Sequence, residues 1–353
     1  MSADLIVPRP DTLQVGWLWF QVLLTTTFVV HILLMNALFG GAVVTFLGGV
    51  FGQGATKEAA RNIAKKTPTL VALTVNAGVA PLLFLQVLYG HLFYTSSIVM
   101  AAWWFAVIPL LIIAYYATYA VSLRYESALR PFWSLLVVGI LATVGFLFVN
   151  NNTLALTPGS WTSWFSNGQG TGLNISEPTL FPRWLHMMVG ALAVGGLFVA
   201  LLQQRKMSRS GSREVAARDW ALKFFTHGTL AQVALGIWWL IALPRPVMML
   251  FMGTDMPATV LFLAGLAFSV VAVILGFKKK VYAAAVFTVI TVIVMALIRE
   301  VVRFAYLDGI FHPAKLSIEP QNSSLVLFMV TLVIGVISAV YMLVLSTRTR
   351  KEG

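Results

Sequence analysis

The sequence predicts an all-α, polytopic membrane protein built as one transmembrane domain over residues 1–353. Of the 353 residues, 59% are hydrophobic and only 10% are charged, and the mean hydropathy of +0.87 lies well above that of a water-soluble domain. Apolar runs of about 20 to 30 residues recur along the chain, and at 1.5 Å per residue each can cross a hydrocarbon core of about 30 Å. A bundle of about nine transmembrane helices follows.

The nine predicted spans succeed one another without a domain linker or a fixed-period repeat. Their boundaries are residues 15–51, 69–97, 99–123, 132–150, 181–202, 220–243, 258–277, 281–306 and 324–345. The polar stretch 1–13 does not have the form of a cleavable leader, so we expect the first span to be retained.

The basic residues alternate between connections, which predicts the orientation of the chain. Every second connection is rich in Lys and Arg, with four in 53–67, two in 124–131, six in 203–223, three in 278–280 and three from residue 348 onward. The connections on the opposite side hold only Arg9, Arg183, Arg245 and Lys315. By the positive-inside rule the N-terminus lies outside and the C-terminus in the cytoplasm, which requires an odd number of spans. We therefore expect a multi-pass protein of a bacterial or archaeal inner membrane. The net charge of +12 is not gathered in a tract typical of nucleic-acid binding.

The chain contains no cysteine. This excludes disulfides, thiolate-ligated iron–sulfur clusters and covalently attached c-type haem within the chain itself. Any such centre would belong to a partner.

Burial of an ionisable side chain in lipid costs free energy, so each such residue within the spans is a functional candidate by default. They are His31, His91, His186, His227, Arg299, Glu300 and Arg303. With the predicted orientation, His91, His186 and Glu300 share a layer about 8 to 10 Å below the outer surface, and His31 lies deeper. His227 lies near the cytoplasmic end of its span, where a structural role is favoured.

These side chains allow two interpretations. Imidazoles and a carboxylate converging from separate helices suit a haem iron, whereas a single histidine on its own is more typical of a hydrogen-bonded contact between helices. Glu300 and Arg303, three residues apart on one helix, can form an internal ion pair. Alternatively, Glu300 ligates iron, and Arg299 and Arg303 bind haem propionates through their planar guanidinium groups.

From Phe20 onward the chain resembles subunit I of the cytochrome bd quinol oxidases, in a short form. "FQVLLTTTFVVHILL" is similar to that family's first helix, whose haem-ligating histidine falls on His31. "NAGVAPLLFLQVLYGHLFY" resembles its second helix, and "PTLFPRWLHMMVGALAVGG" resembles its fifth, placing the low-spin haem histidine on His186. "ALIREVVRFAY" is similar to the E-x-G-R element, with Glu300 as a haem ligand, Arg303 at the arginine and Val302 in place of the glycine.

The chain also departs from the family. The large quinol-binding loop is reduced to residues 244–257, the third span has no carboxylate, and the glutamate position of the second span reads Gln86. The methionine that completes the low-spin haem has no counterpart, since glycine stands near Gly265. His91 is our first choice for the missing ligand. The second is a methionine cluster formed by Met248, Met249, Met252 and Met256.

The resemblance and the lost acids together imply a haem b subunit of a quinol-dependent oxidoreductase complex. We expect two haem b groups, or three, and electron passage between membrane quinol or quinone and an outer-side partner such as a c-type cytochrome. One alternative is a reduced bd-like terminal oxidase with an oxygen-binding haem between His31 and Glu300. Another is a cofactor-free transporter or assembly subunit in which Glu300 and the histidines relay protons.

Overall fold

A computed structural model describes residues 6–210 and 214–352, and within them it confirms an all-α bundle with nine long apolar helices. These helices are α1 (Trp17–Val50), α3 (Thr67–Val99), α4 (Ala101–Leu123), α5 (Arg130–Leu156), α6 (Leu180–Ser210), α7 (Glu214–Ala242), α9 (Met256–Phe277), α10 (Val281–Tyr306) and α11 (Asn322–Glu352). Each predicted span matches one of them, and α10 begins and ends at the predicted residues. Over Ser323–Met342 the side chains of α11 are not buried by the bundle.

Two short helices lie between these spans. They are α2 (Ala55–Ala64) and α8 (Arg245–Met249). The sequence analysis treated residues 53–67 as a basic loop, whereas α2 buries Ala60 and Ile63 against the bundle and leaves Lys57 exposed. The Tyr125 hydroxyl donates to the Lys57 carbonyl across 3.3 Å. Burial raises the pKa of the Tyr125 phenol, which keeps it protonated as a donor.

The crossing of α1 and α6 brings two glycines into backbone contact. A Cβ added at Gly40 would lie 2.3 Å from the Ala191 carbonyl oxygen and 2.6 Å from the Gly195 Cα. No residue larger than glycine fits there without movement of a helix. Small residues at such contacts let membrane helices pack through their backbones, because lipid offers no hydrophobic gain for helix association.

Helix α3 is kinked at Tyr89, where φ is −129° and ψ is 23°. Pro81 lies earlier in the same helix. The kinked residue is buried, and its ring lies beneath the guanidinium of Arg303 on α10. The kink therefore occurs where α3 meets the charged end of α10.

A short backbone pairing closes the end of the bundle that the charge pattern predicts to face outward. The Leu13 amide donates to the Ser317 carbonyl across 2.8 Å, and the Glu319 amide donates to the Leu13 carbonyl across 2.7 Å. Nearby, Phe311 is buried against Tyr89 and His91. We call residues 6–16 with 307–321 the outer cap.

Candidate functional site

Glu300 lies at the centre of a buried charged cluster near the outer end of α10. Its Oε2 accepts hydrogen bonds from Arg303 Nη1 at 2.7 Å and from Gln21 Nε2 of α1 at 2.9 Å. Its Oε1 lies 3.5 Å from Arg299 Nη1 and has no hydrogen-bond partner. Only 6% of Glu300 and 3% of Arg303 are exposed, so the predicted pair is confirmed as an internal one.

Gln21 and Tyr89 extend this cluster to α1 and α3. The Tyr89 hydroxyl donates to Gln21 Oε1 at 3.5 Å, while the amide nitrogen of the same glutamine donates to Glu300. Neither residue is conspicuous as a candidate in the sequence. A neutral amide within a span is not conspicuous in sequence, although its burial in lipid demands partners.

Three arginines of the cluster are stacked on aromatic rings. Arg299 lies 3.9 Å from the Phe28 centroid, Arg303 lies 4.7 Å from that of Tyr89, and Arg183 lies 5.1 Å from that of Trp239. Cation–π contacts of this kind strengthen where water is displaced.

Arg183 is the arginine that the sequence analysis left among the outer connections. It is buried in α6 and interacts electrostatically with Arg303 and with Glu177. Its position three residues before His186, on the same helical face, was the signal available in the sequence.

Positive charge exceeds negative charge in this part of the bundle. Three guanidinium groups face two carboxylates, Glu300 and Glu177, and Glu177 accepts hydrogen bonds from Thr179 and Tyr306. Buried nitrogens of Arg183, Arg299 and Arg303 have no hydrogen-bond acceptor. Because uncompensated buried charge is costly, the arrangement suits an anionic group.

His186 is buried on the face of α6 that meets α7. Its Nε2 lies 3.1 Å from the amide nitrogen of Gln232, and its Nδ1 has no partner. Gly236 admits the ring, since an added Cβ there would lie 3.2 Å from His186 Cε1. The Trp239 ring, which also contacts Arg183, lies 5.7 Å from the imidazole.

His91 lies in α3 just beyond the kink and beneath the outer cap. Its ring packs edge-on against Phe311 at 4.4 Å between centroids, and its buried Nε2 has no hydrogen-bond partner. An open imidazole nitrogen is therefore present on α3 as well as on α6.

His31 occupies a separate place along α1. Its Nδ1 donates to the Thr74 carbonyl at 3.1 Å, which leaves Nε2 as the nitrogen with a free lone pair. It follows Gln21 by ten residues, a rise of about 15 Å. Gln21 bonds Glu300, so His31 lies deeper along α1 than that contact, while Phe28, three residues before His31, packs against Arg299 beside Glu300.

Two other sets of predicted residues lie apart from the charged cluster. His227 is exposed on α7, and its Nδ1 donates to the Lys223 carbonyl of its own helix at 2.8 Å, in agreement with a structural role. Met252 and Met256 are exposed near α8, and Met248 packs in an apolar cluster with Val247 and Phe251.

The residues present are compatible with haem. In the described part of the chain no three histidine, aspartate or glutamate side chains gather to hold a bare metal ion. A haem iron, however, takes only one or two ligands from the protein, because the porphyrin supplies the others. Open atoms of His91 and Glu300 could serve as ligands, and His186 could ligate through Nδ1 with the Gln232 amide turned so that its oxygen accepts from Nε2–H. The open arginine nitrogens could bind propionates.

Comparison of the chain with protein-family models, with curated proteins and with solved structures finds no match. The likeness to the cytochrome bd oxidases therefore rests on the short motifs quoted above. The function must be argued from the side chains and their contacts.

Proposed function

We propose that this chain is a haem b-containing membrane subunit of a respiratory electron-transfer complex. It would pass electrons between membrane quinol or quinone and a redox partner at the outer face, such as a c-type cytochrome, in a bacterial or archaeal inner membrane. The main support is the set of buried atoms of His91, His186, Glu300 and the arginines that have no partner within the protein. Such atoms are costly to bury unless a bound group satisfies them.

The proposal gives each residue a distinct task. His186 and Glu300 would each hold the iron of a separate haem near the predicted outer end of the bundle, and His31 would hold iron deeper along α1. His91 is the first choice for the ligand that completes the haem of His186. The bound haem supplies one-electron chemistry at its iron. The hydrogen bond from His31 Nδ1 to the Thr74 carbonyl orients that ring and raises the basicity of Nε2.

The arginines bind the carboxylates of the cofactor and adjust its energetics. Arg299 and Arg303, with Arg183 beside them, offer more positive charge than Glu300 and Glu177 neutralise. In a dry setting such an excess favours the reduced form of a nearby redox centre and raises its potential. The position near the outer end of α10 suits electron exchange with a partner outside the membrane.

A reduced-minus-oxidised absorbance spectrum of the purified protein tests the proposal. We expect haem b bands in the wild type and loss of a part of them in His31→Ala, His186→Ala and Glu300→Ala. His227→Ala is the matched control and should keep the full spectrum, because that histidine is exposed and bonds only within its helix.

Other outcomes separate the alternatives. A wild-type sample without haem absorbance contradicts the proposal, and movement of a solute by such a sample would establish a transporter. Oxygen consumption with reduced quinol, abolished in Glu300→Ala, would establish a terminal oxidase.

A further inference from the structure

A small cavity lies at the opposite end of the bundle from the charged cluster, where α1, α2, α3, α4 and α5 meet. Four hydroxyl side chains line it, those of Thr45, Thr67, Thr118 and Ser134, among apolar neighbours that include Ala42. The volume open to the centre of a water-sized sphere is about 10 Å³. A cavity needs roughly that volume to hold one water molecule.

Two of these hydroxyls are satisfied as donors. Thr67 Oγ1 donates to the Ile63 carbonyl at 3.0 Å, and Thr118 Oγ1 donates to the Tyr115 carbonyl at 2.6 Å. The first bond joins the start of α3 to the end of α2, and the second lies within α4. The oxygen lone pairs of both threonines remain available as acceptors.

The other two hydroxyls have no partner. Thr45 Oγ1 and Ser134 Oγ are buried, with 3% of each residue exposed, and neither makes a hydrogen bond. Unlike Thr67 and Thr118, these hydroxyls bond no backbone carbonyl. The cavity is therefore lined by two hydroxyls that need an acceptor, those of Thr45 and Ser134, and by two that can still accept a hydrogen bond, those of Thr67 and Thr118.

The hydroxyl groups that line the cavity favour a water molecule as its ligand. A water molecule donates two hydrogen bonds and accepts two, so one molecule could accept from Thr45 and Ser134 and donate to Thr67 and Thr118. No carboxylate lines the cavity, so a bound cation would have no counter-charge there. The cavity is also too small for an organic ligand.

We propose that this cavity is the binding site of a single ordered water molecule that joins α1, α3, α4 and α5. This inference is independent of the proposed function, because none of the four hydroxyl residues belongs to the candidate haem site. The water bridges the four helices through hydrogen bonds at a point where their hydroxyls do not bond one another directly. It therefore contributes to the stability of this end of the bundle.

Whether substitution of the cavity hydroxyls lowers or raises the Tm of the protein tests the proposal. We expect Thr45→Val and Ser134→Ala each to lower the Tm of the detergent-solubilised protein by about 2 °C, because each removes a donor from the water. The double variant should lose little more than either single one, since the water is already displaced. Thr45→Ser retains the hydroxyl and removes only a methyl group, so in that background Ser134→Ala should lower the Tm by as much as it does in the wild type.

Thr288→Val is the matched control. Thr288 is also buried, but its hydroxyl donates to the Ala284 carbonyl of its own helix at 2.8 Å and does not line the cavity. It should show no coupling to Thr45→Val. A rise in Tm for Thr45→Val and Ser134→Ala would show that the cavity is dry, since each would then remove a buried hydroxyl without a partner.

Two further measurements bear on the ligand directly. A density map at about 2 Å resolution should show one spherical feature within hydrogen-bond distance of all four hydroxyls, and an empty cavity would overturn the proposal whatever the variants do. The second measurement compares the Tm in choline with the Tm in Na⁺ or K⁺. If Na⁺ or K⁺ raises the Tm of the wild type but not that of Thr45→Val, the cavity binds a cation in place of water.

Discussion

Gln21 Nε2 donates to Glu300 Oε2 across 2.9 Å and joins the first long helix of the chain to the eighth. Arg303 donates to the same oxygen at 2.7 Å. Both donors thus hold Oε2, and Oε1 is the carboxylate oxygen left without a hydrogen bond. The carboxylate is held in place by two helices while one of its oxygens remains free to bind a ligand.

The Glu300–Arg303 pair should be strongly coupled. Arg303→Gln leaves the buried carboxylate without its closest cation, and we expect a loss of about 3 to 5 kcal/mol in the free energy of unfolding. Glu300→Gln/Arg303→Gln should lose less than the sum of the two single variants. The measurement is thermal or denaturant unfolding in detergent.

Arg61→Gln is the matched control for that pair. Its partner Glu126 lies at 3.3 Å, but both side chains are largely exposed, so the loss should be about 0.5 kcal/mol. Additive losses for Glu300 and Arg303 would contradict the assigned ion pair.

Gln21 and Gln232 should influence two different centres. Gln21→Leu removes a donor from Glu300, and Gln232→Leu removes the partner of His186 Nε2. Gln21→Leu should shift the midpoint potential of the haem bound by Glu300, and Gln232→Leu should shift that of the haem bound by His186. Each should leave the potential of the other haem unchanged, because a hydrogen bond to a ligand affects the metal that this ligand binds. Potentiometric titration of both variants is the measurement. A shift of the same component in both would contradict two separate sites.

The contact of Gly40 with α6 should not tolerate a methyl group. In Gly40→Ala the new Cβ would overlap the Ala191 carbonyl oxygen, and we expect a fall in Tm and in folded yield from detergent extraction. Gly139→Ala is the control, because no atom lies within 4 Å of a Cβ built there. Equal stability of the two variants would show that α1 and α6 do not pack through their backbones.

The predicted orientation can be tested in intact cells. Because the chain has no cysteine, Thr162→Cys and Lys278→Cys each introduce a single thiol at an exposed position. A membrane-impermeant maleimide should label Thr162→Cys from outside and should label Lys278→Cys only after the cells are opened. The reverse pattern would invert the topology.

The nine spans were predictable because a membrane requires long apolar helices, and this requirement is visible in local composition. Helix α2 was missed because only Ala59, Ala60, Ile63 and Ala64 are buried on it, a pattern too short and too weak to separate from a basic loop. The kink at Tyr89 was also not predicted. It depends on contacts with α10 and Phe311 that lie far away in sequence.

The charges of the site were predictable, but their partners were not. Glu300 and Arg303 lie three residues apart, so helix geometry alone predicts their contact. Gln21, Gln232 and Trp239 contribute through the packing of α1 and α7, which no local pattern encodes. Arg183 lies inside the predicted span 181–202 but counts with the outer basic residues, because it is only three residues from the start of α6.

The glycine crossing of α1 and α6 also determines where two histidines point. His31 precedes Gly40 by nine residues, and His186 precedes Gly195 by nine. Nine residues are two and a half helical turns, so each imidazole projects from the face opposite the crossing. His31 accordingly meets Thr74 of α3, and His186 meets Gln232 of α7. The close backbone contact of α1 and α6 thus directs the two imidazoles to opposite sides of this helix pair.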